Sequence, residues 1–115
     1  MTMRTPFDGM WARVAALQGQ SSPLAVRGSI RILRVDDRGV LRESSRGHTG
    51  RMSIESFRWT VDELDRRGAM TRAEILAGIR RWESSGVVAT LAATGLYEIT
   101  RTPNVGIRRS APVRS

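Results

Sequence analysis

The sequence predicts an α+β fold with an N-terminal helix, a small antiparallel β-hairpin or sheet, a cluster of three helices and a basic tail. Two local patterns carry this prediction. Residues 70–82 combine a capping box, in which Thr71 and Glu74 bind each other's backbone N–H groups, with an apolar stripe at helical spacing. Residues 30–44 form two β-rich runs around residues 36–39, which have the composition of a turn.

Length and composition set the domain organisation. A chain of 115 residues suits one domain, which we place at residues 1–106, followed by a flexible basic tail at 107–115. The absence of cysteine excludes a disulfide scaffold and thiolate metal sites. The first thirty residues contain no long apolar run, so we expect neither a signal peptide nor a membrane span, and we predict a cytoplasmic protein.

In the N-terminal half, the pattern predicts a helix over residues 8–18 that Asp8 caps and Gly19 ends. A loop at 20–23 and a short edge strand at 24–26 come next. After the hairpin, residues 44–51 are polar and glycine-bearing, which is typical of an exposed loop, with a short strand at 51–52 as an option.

Three helices follow. The first is capped by Ser53 and ends at Gly68, the second covers residues 70–82, and the third opens at Ser84 or Ser85 and closes at Gly95. Residues 96–100 alternate and predict a strand. The predicted core consists of Ile30, Ile32, Leu33, Leu41, Ile54, Phe57, Val61, Leu64, Ile75, Leu76, Ile79, Trp82, Val88 and Leu91.

The net charge is +8, and the basic side chains are all arginine apart from one histidine. Residues 1–53 hold nine arginines and four acids, residues 54–100 six and seven, and residues 101–115 four and none. Arginine presents a planar fork of donors that suits phosphate groups and base edges. This segregated charge favours nucleic acid as a partner, bound outside the central helices.

We therefore predict a non-catalytic nucleic-acid-binding protein, with double-stranded DNA as the first partner and RNA as an open alternative. Phosphate contacts are expected from the β-hairpin, its following loop and the C-terminal tail. The candidate residues on these segments are Arg31, Arg38, Arg42, Arg46, His48, Arg51, Arg101, Arg108 and Arg109. A positive face that serves only solubility is the competing interpretation.

A family resemblance rests on Glu63-Leu64, on Gly68, on the run at residues 70–75 and on the short helix after it. With these features, residues 53–100 resemble helix-turn-helix and winged-helix DNA-binding modules. The resemblance implies that the helix opening near Ser84 enters the major groove. This helix departs from the usual pattern, because it offers serine and threonine but no arginine. The chain is more faintly similar to small accessory domains of bacterial restriction and defence proteins.

The sequence holds no constellation that points to catalysis. Its single histidine lacks a gathered set of carboxylates, and the chain has no phosphate-binding loop, nucleophile elbow or dinucleotide fingerprint, so we predict neither an enzyme nor a cofactor or metal site. The alternative function is a small protein-binding regulator or inhibitor that acts through an apolar helix surface, with a homodimer included. Its candidate contacts are Trp59, Val87 and Leu91. For Trp59, burial beneath the N-terminal helix or the hairpin is the competing interpretation.

Overall fold

In the computed structural model, the described residues form two antiparallel sheets and four helices, so the predicted α+β class is confirmed. It describes residues 6–24, 28–101 and 104–110. In this part of the chain the helices are α1 (Pro6–Ala15), α2 (Ile54–Arg67), α3 (Arg72–Leu76) and α4 (Arg81–Ala93). The strands are β1 (Ser21–Pro23), β2 (Ser29–Asp36), β3 (Gly39–Ser44), β4 (Thr49–Ser53), β5 (Ala69–Thr71), β6 (Tyr97–Thr100) and β7 (Gly106–Arg109).

The first sheet has the order β1-β2-β3-β4 and contains the predicted hairpin as β2 and β3. The loop predicted at residues 20–23 is wrong, because residues 21–23 pair with β2 as an edge strand. Of the edge strand predicted at 24–26, Leu24 follows β1, and the other two residues lie outside the described part of the chain. The loop after the hairpin is shorter than predicted, because β4 already begins at Thr49.

Helix α2 begins and ends where the sequence predicts. The Ser53 hydroxyl accepts a hydrogen bond from the Ser56 N–H, which caps one of the orphan donors of the first turn. Gly68 closes the helix with φ of 82° and donates its N–H to the Leu64 carbonyl. A non-glycine residue is disfavoured in this left-handed region, so the glycine sets the boundary.

The single helix predicted over residues 70–82 is wrong, although its capping box is present. The Glu74 N–H donates to the Thr71 hydroxyl at 3.2 Å, and the Thr71 N–H donates to the Glu74 carboxylate at 3.0 Å. Helix α3 then ends at Leu76, and a turn leads to α4 at Arg81. A Cβ atom at Gly78 in this turn would overlap the Trp59 ring. The two helices therefore meet at a place where a side chain of α2 fills the space.

The second sheet has the order β5-β7-β6, so the last described strand lies at its centre. The flexible tail predicted at 107–115 is therefore wrong for residues 107–109, and the Ile107 side chain is fully buried. Residues 111–115 lie outside the described part of the chain. The strand predicted at 96–100 is confirmed as β6, and the third predicted helix starts earlier than expected, at Arg81.

Helix α4 packs against strands of both sheets, and most of the predicted core surrounds it. Two predicted core residues are exposed instead, Leu33 at 38% and Trp82 at 45%. Leu33 lies at a bulge between Ile32 and Arg34, where an extra residue breaks the inward–outward alternation. The sequence also missed core residues, among them residues of six elements: Phe7, Met10, Val14, Val40, Met52, Met70, Tyr97 and Ile107. Leu41, Ile54 and Leu76 are half-buried.

Trp59 is half-buried and packs against the core, with its ring against Gly78 in the turn between α3 and α4. The predicted burial of Trp59 is therefore confirmed in part. No helix of the described residues is long and apolar enough to cross a membrane.

Three half-buried carboxylates, those of Asp36, Glu63 and Glu74, predict how the stability of the fold depends on pH. The Arg38 N–H and then Arg51 lower the pKa of Asp36, Arg66 lowers that of Glu63, and the Thr71 N–H lowers that of Glu74. Because these pKa values are lower in the folded chain than in the unfolded chain, their contribution is complete above the unfolded values and is lost as the pH falls. We expect urea unfolding midpoints to be constant near neutral pH and to decrease below about pH 4.5.

Glu63→Gln is the control, because it should flatten this acid limb without changing the fold. A midpoint that rises between about pH 4.5 and pH 3 would contradict the assignment, because it would require pKa values raised by folding.

Candidate nucleic-acid interface

In the helix-turn-helix interpretation, α4 is the helix that enters the major groove. Its polar side chains are not exposed for such a contact. Ser84 and Thr90 are buried, and Thr94 is 7% exposed. Their hydroxyls donate to carbonyls of their own helix, Ser84 to Arg81, Thr90 to Gly86 and Thr94 to Leu91, at 2.6–2.9 Å. With these polar groups satisfied internally and the first sheet packed on the helix, α4 is part of the core rather than a reading surface.

The apolar helix surface of the alternative function is also absent from α4. Val87 and Leu91 are both fully buried, so neither can contact a partner on this fold. Trp59, the third candidate, is half-buried against Gly78. The prediction of an exposed apolar face on this helix is therefore wrong: its uncharged sequence reflects packing on two sheets.

Arginines of the second sheet are neutralised by neighbouring carboxylates. Arg108 pairs with Glu98 on the adjacent strand, and Arg109 pairs with Asp65 of α2 at 2.6 Å. The same pattern continues on the helices, where Arg67 binds both Glu63 and Glu74. Two of the predicted phosphate contacts, Arg108 and Arg109, are thus engaged with acids. Arg101 is exposed and follows β6 directly.

Arginines of the first sheet are less neutralised. Arg51 binds Asp36 at 2.8 Å, and Arg34 approaches the same carboxylate at 3.8 Å. Three other predicted residues, Arg31, Arg38 and Arg46, are exposed and form no ion pair with a described carboxylate. Arg38 does not share a patch with the other two, because it lies in the β2–β3 turn, at the opposite end of the strands from Arg46. Arg31 lies on β2 across from Glu43 and lines the same cavity as Ser45 and Gly47, on either side of Arg46.

Arg42, another predicted contact, is half-buried and points toward the inner face of the sheet. It stands opposite the buried Ile32 on the neighbouring strand, so its side chain shares the inner face of the sheet. Its guanidinium lies 5.5 Å from the centroid of the Trp82 ring and donates to the Trp82 carbonyl at 3.2 Å. Burial lowers the pKa of Arg42, and the nearby Glu83 carboxylate offsets part of this effect.

The Arg42 Nε–H is buried and has no hydrogen-bond partner. An unpaired buried donor destabilises a fold by about 1–3 kcal/mol, so an arginine is not the side chain that packing alone favours here. What the guanidinium does provide is a fixed cation beneath the indole of Trp82.

The Trp82 ring is held against the first sheet while much of it remains open to solvent. A Cβ atom at Gly50 would lie 3.2 Å from its Cζ3 atom, so the ring rests directly on the Gly50 backbone. Arg80 and Arg81 precede it at the start of α4, are exposed and form no ion pair with a described carboxylate. We call these five residues, Arg42, Gly50, Arg80, Arg81 and Trp82, the Trp82 cluster.

The exposed loop between β3 and β4 continues the basic surface beyond the cluster. His48 lies two residues before Gly50, a separation of roughly 7 Å along an extended chain. It donates its backbone N–H to the Ser44 hydroxyl at 3.2 Å, and Arg46 occupies the turn. The structure thus brings a predicted loop next to an aromatic residue that the sequence had assigned to the core.

The sequence prediction placed Trp82 in the core and did not include Trp82, Arg80 or Arg81 among the nucleic-acid contacts. The helical stripe at residues 70–82 placed Trp82 with Ile75 and Ile79, but that stripe is interrupted at Gly78. The run Arg80-Arg81-Trp82 could have indicated that Trp82 is exposed, because two adjacent arginines are rarely buried in a core.

Comparison of the chain with protein-family models, with curated proteins and with solved structures gives no match. A function must therefore be argued from the chain's own residues. Within residues 6–24, 28–101 and 104–110, no group of three or more histidine and acidic side chains is arranged to hold a metal ion.

Proposed function

We propose that this chain is a non-catalytic nucleic-acid-binding protein, with duplex DNA as its first partner and a bacterial cytoplasmic setting. The observation that carries the proposal is the uneven neutralisation of arginine. Arg108 and Arg109 on the second sheet are paired with acids, whereas Arg46, Arg80 and Arg81 near the first sheet have no described carboxylate within ion-pair distance. Guanidinium groups without an acidic partner are the ones that can bind phosphate without first breaking an ion pair.

We also propose that residues 54–109 form a winged-helix unit. Support comes from the element order, which is a helix, a strand, two helices and two strands, with the last strand between the other two. In this unit the groove-reading helix would be α4, which the first sheet covers. DNA contact would therefore pass to the β3–β4 loop and to the exposed start of α4.

A salt titration tests DNA binding directly. We expect the affinity for a duplex to fall roughly a hundredfold between about 50 mM and about 200 mM salt, as for about four released phosphate counterions. Electrophoretic mobility or fluorescence anisotropy measures this slope. Lack of binding at the lower salt concentration would overturn the proposal.

The location is tested with charge-matched variants. Arg46→Ala with Arg81→Ala and Arg108→Ala with Arg109→Ala each remove two positive charges. The first pair should weaken binding at least about tenfold and reduce the salt slope by about 2, because unpaired guanidiniums are lost. The second pair should change affinity less. Equal losses would show that only net charge matters and that the loop and α4 are not the contact surface.

A further inference from the structure

We propose that the Trp82 cluster is a stacking site for an unpaired nucleobase, so that the protein takes single-stranded rather than only paired nucleic acid. The inference rests on the proposed nucleic-acid binding and specifies its ligand. Trp82 is the side chain that suggests this ligand, because the packing of the fold does not explain why it is exposed. Trp82 is 45% exposed, although the neighbouring residues of α4, Glu83 and Ser84, are almost fully buried.

The indole is oriented before any ligand arrives. The Gly50 backbone supports it from the sheet, and the Arg42 guanidinium lies 5.5 Å from its centroid. Arg42 is itself fixed, because it donates to the Trp82 carbonyl at 3.2 Å and its stem packs at Gly86. A ring that is already ordered loses little conformational freedom when a flat ligand stacks on it.

A nucleobase fits the chemistry of this surface. Every base offers a π-face, and stacking on an exposed aromatic side chain tolerates any sequence. In a duplex both faces of a base are covered by its neighbours, so only an unpaired or extruded base can present a face to Trp82. The cluster therefore selects the unpaired state of the nucleic acid rather than a base sequence.

The charges around the ring favour a polyanion over an apolar protein segment. Arg80 and Arg81 precede Trp82 at the start of α4, and His48 and Arg46 lie in the β3–β4 loop just before Gly50. The nearest acid in sequence, Glu83, is 3% exposed, and its oxygens accept hydrogen bonds from Ser53 and Ser56. A strand whose base stacks on the indole would keep its phosphates within reach of these cations.

The test compares a short oligothymidylate, which forms no duplex, with a blunt duplex of matching length. The variants are Trp82→Ala, the conservative Trp82→Phe and the control Leu33→Ala, which removes the other large exposed apolar side chain among the described residues. Trp82→Ala should weaken binding of the single strand about tenfold or more, Trp82→Phe should weaken it less, and Leu33→Ala should leave it unchanged. Duplex affinity should be the same for all of them.

Indole fluorescence gives a second measurement that does not depend on the alanine variant folding. Trp11 and Trp59 are half-buried, so quenching by the oligothymidylate should come from Trp82 and should disappear in Trp82→Phe. Single-strand binding that is unaffected by Trp82→Ala, or wild-type fluorescence that is not quenched, would overturn the stacking site. If duplex binding persists in that case, the proposed function stands; if wild-type protein binds neither probe, both fall.

Discussion

Replacing Glu83 with alanine is expected to lower the free energy of unfolding by about 3–5 kcal/mol, because it removes two hydrogen bonds to a buried carboxylate, each of which contributes about 1.5–3 kcal/mol. Glu83 is 3% exposed in the first turn of α4. Its carboxylate accepts from the Ser53 N–H at 2.8 Å and from the Ser56 hydroxyl at 2.9 Å. The variant leaves both donors without an acceptor, and it removes a nearby negative charge that stabilises the half-buried Arg42 guanidinium. Chemical denaturation, followed by circular dichroism, measures the loss.

Two controls separate the buried charge from a general effect of removing an acid. Glu83→Gln keeps the side-chain length and one acceptor oxygen, so it should be destabilised by about half as much. Glu98→Ala removes a solvent-exposed partner of Arg108 and should lower the free energy of unfolding by at most about 1 kcal/mol. Equal effects of Glu83→Ala and Glu98→Ala would show that the buried carboxylate contributes nothing special to the fold.

Glu83 also links the scaffold to the candidate site. It joins the N-terminal ends of α2 and α4, because Ser53 caps α2 while Glu83 belongs to α4. A negative charge is favoured at both ends. The residue before it is Trp82, so the contact that fixes the start of α4 also fixes where the indole meets the first sheet. The exposed Trp82 and the buried Glu83 are therefore positioned by the same contact between the starts of α2 and α4.

The sequence predicted those elements whose signals are local. The Ser53 cap, the Gly68 stop and the capping box of Thr71 and Glu74 involve groups within four residues, and all three are present. The hairpin over residues 30–44 is likewise specified by its turn and its β-rich strands. Together these local patterns predicted the α+β class. Such features follow from backbone chemistry that does not depend on the rest of the molecule.

The errors concern contacts between residues distant in sequence. Residues 106–109 have the composition of a tail, yet they form the central strand of a sheet whose other strands begin at residues 69 and 97. The prediction of the candidate site was wrong for the same reason. Arg108 and Arg109 looked free but have acidic partners in other elements, and Arg42 turns inward beneath α4. Periodicity and charge counts do not report which carboxylate will stand beside a given arginine.

We expect the contact between Gly78 and the Trp59 ring to contribute to the end of α3 at Leu76, and a substitution at Gly78 tests this. Gly78→Ala is expected to destabilise the fold by about 1–3 kcal/mol, because the added methyl group would overlap the Trp59 ring and overpack the site. Intrinsic propensity predicts the opposite sign, since alanine is favoured over glycine by about 1 kcal/mol in a helix. Denaturant unfolding midpoints distinguish the two explanations. A lower midpoint for Gly78→Ala indicates a clash with the Trp59 ring, whereas a higher midpoint indicates that low helix propensity ends the helix.

Gly9→Ala is the matched control, because Gly9 lies in α1 and no atom would be within 4 Å of its added Cβ. It should stabilise the protein by roughly 0.5–1 kcal/mol. A double-mutant cycle with Trp59→Ala then isolates the contact: the loss caused by Gly78→Ala should nearly vanish once the indole is gone. If Gly78→Ala were as stabilising as Gly9→Ala, the break between α3 and α4 would owe nothing to Trp59. The separation of Trp82 from the apolar stripe would then need another cause.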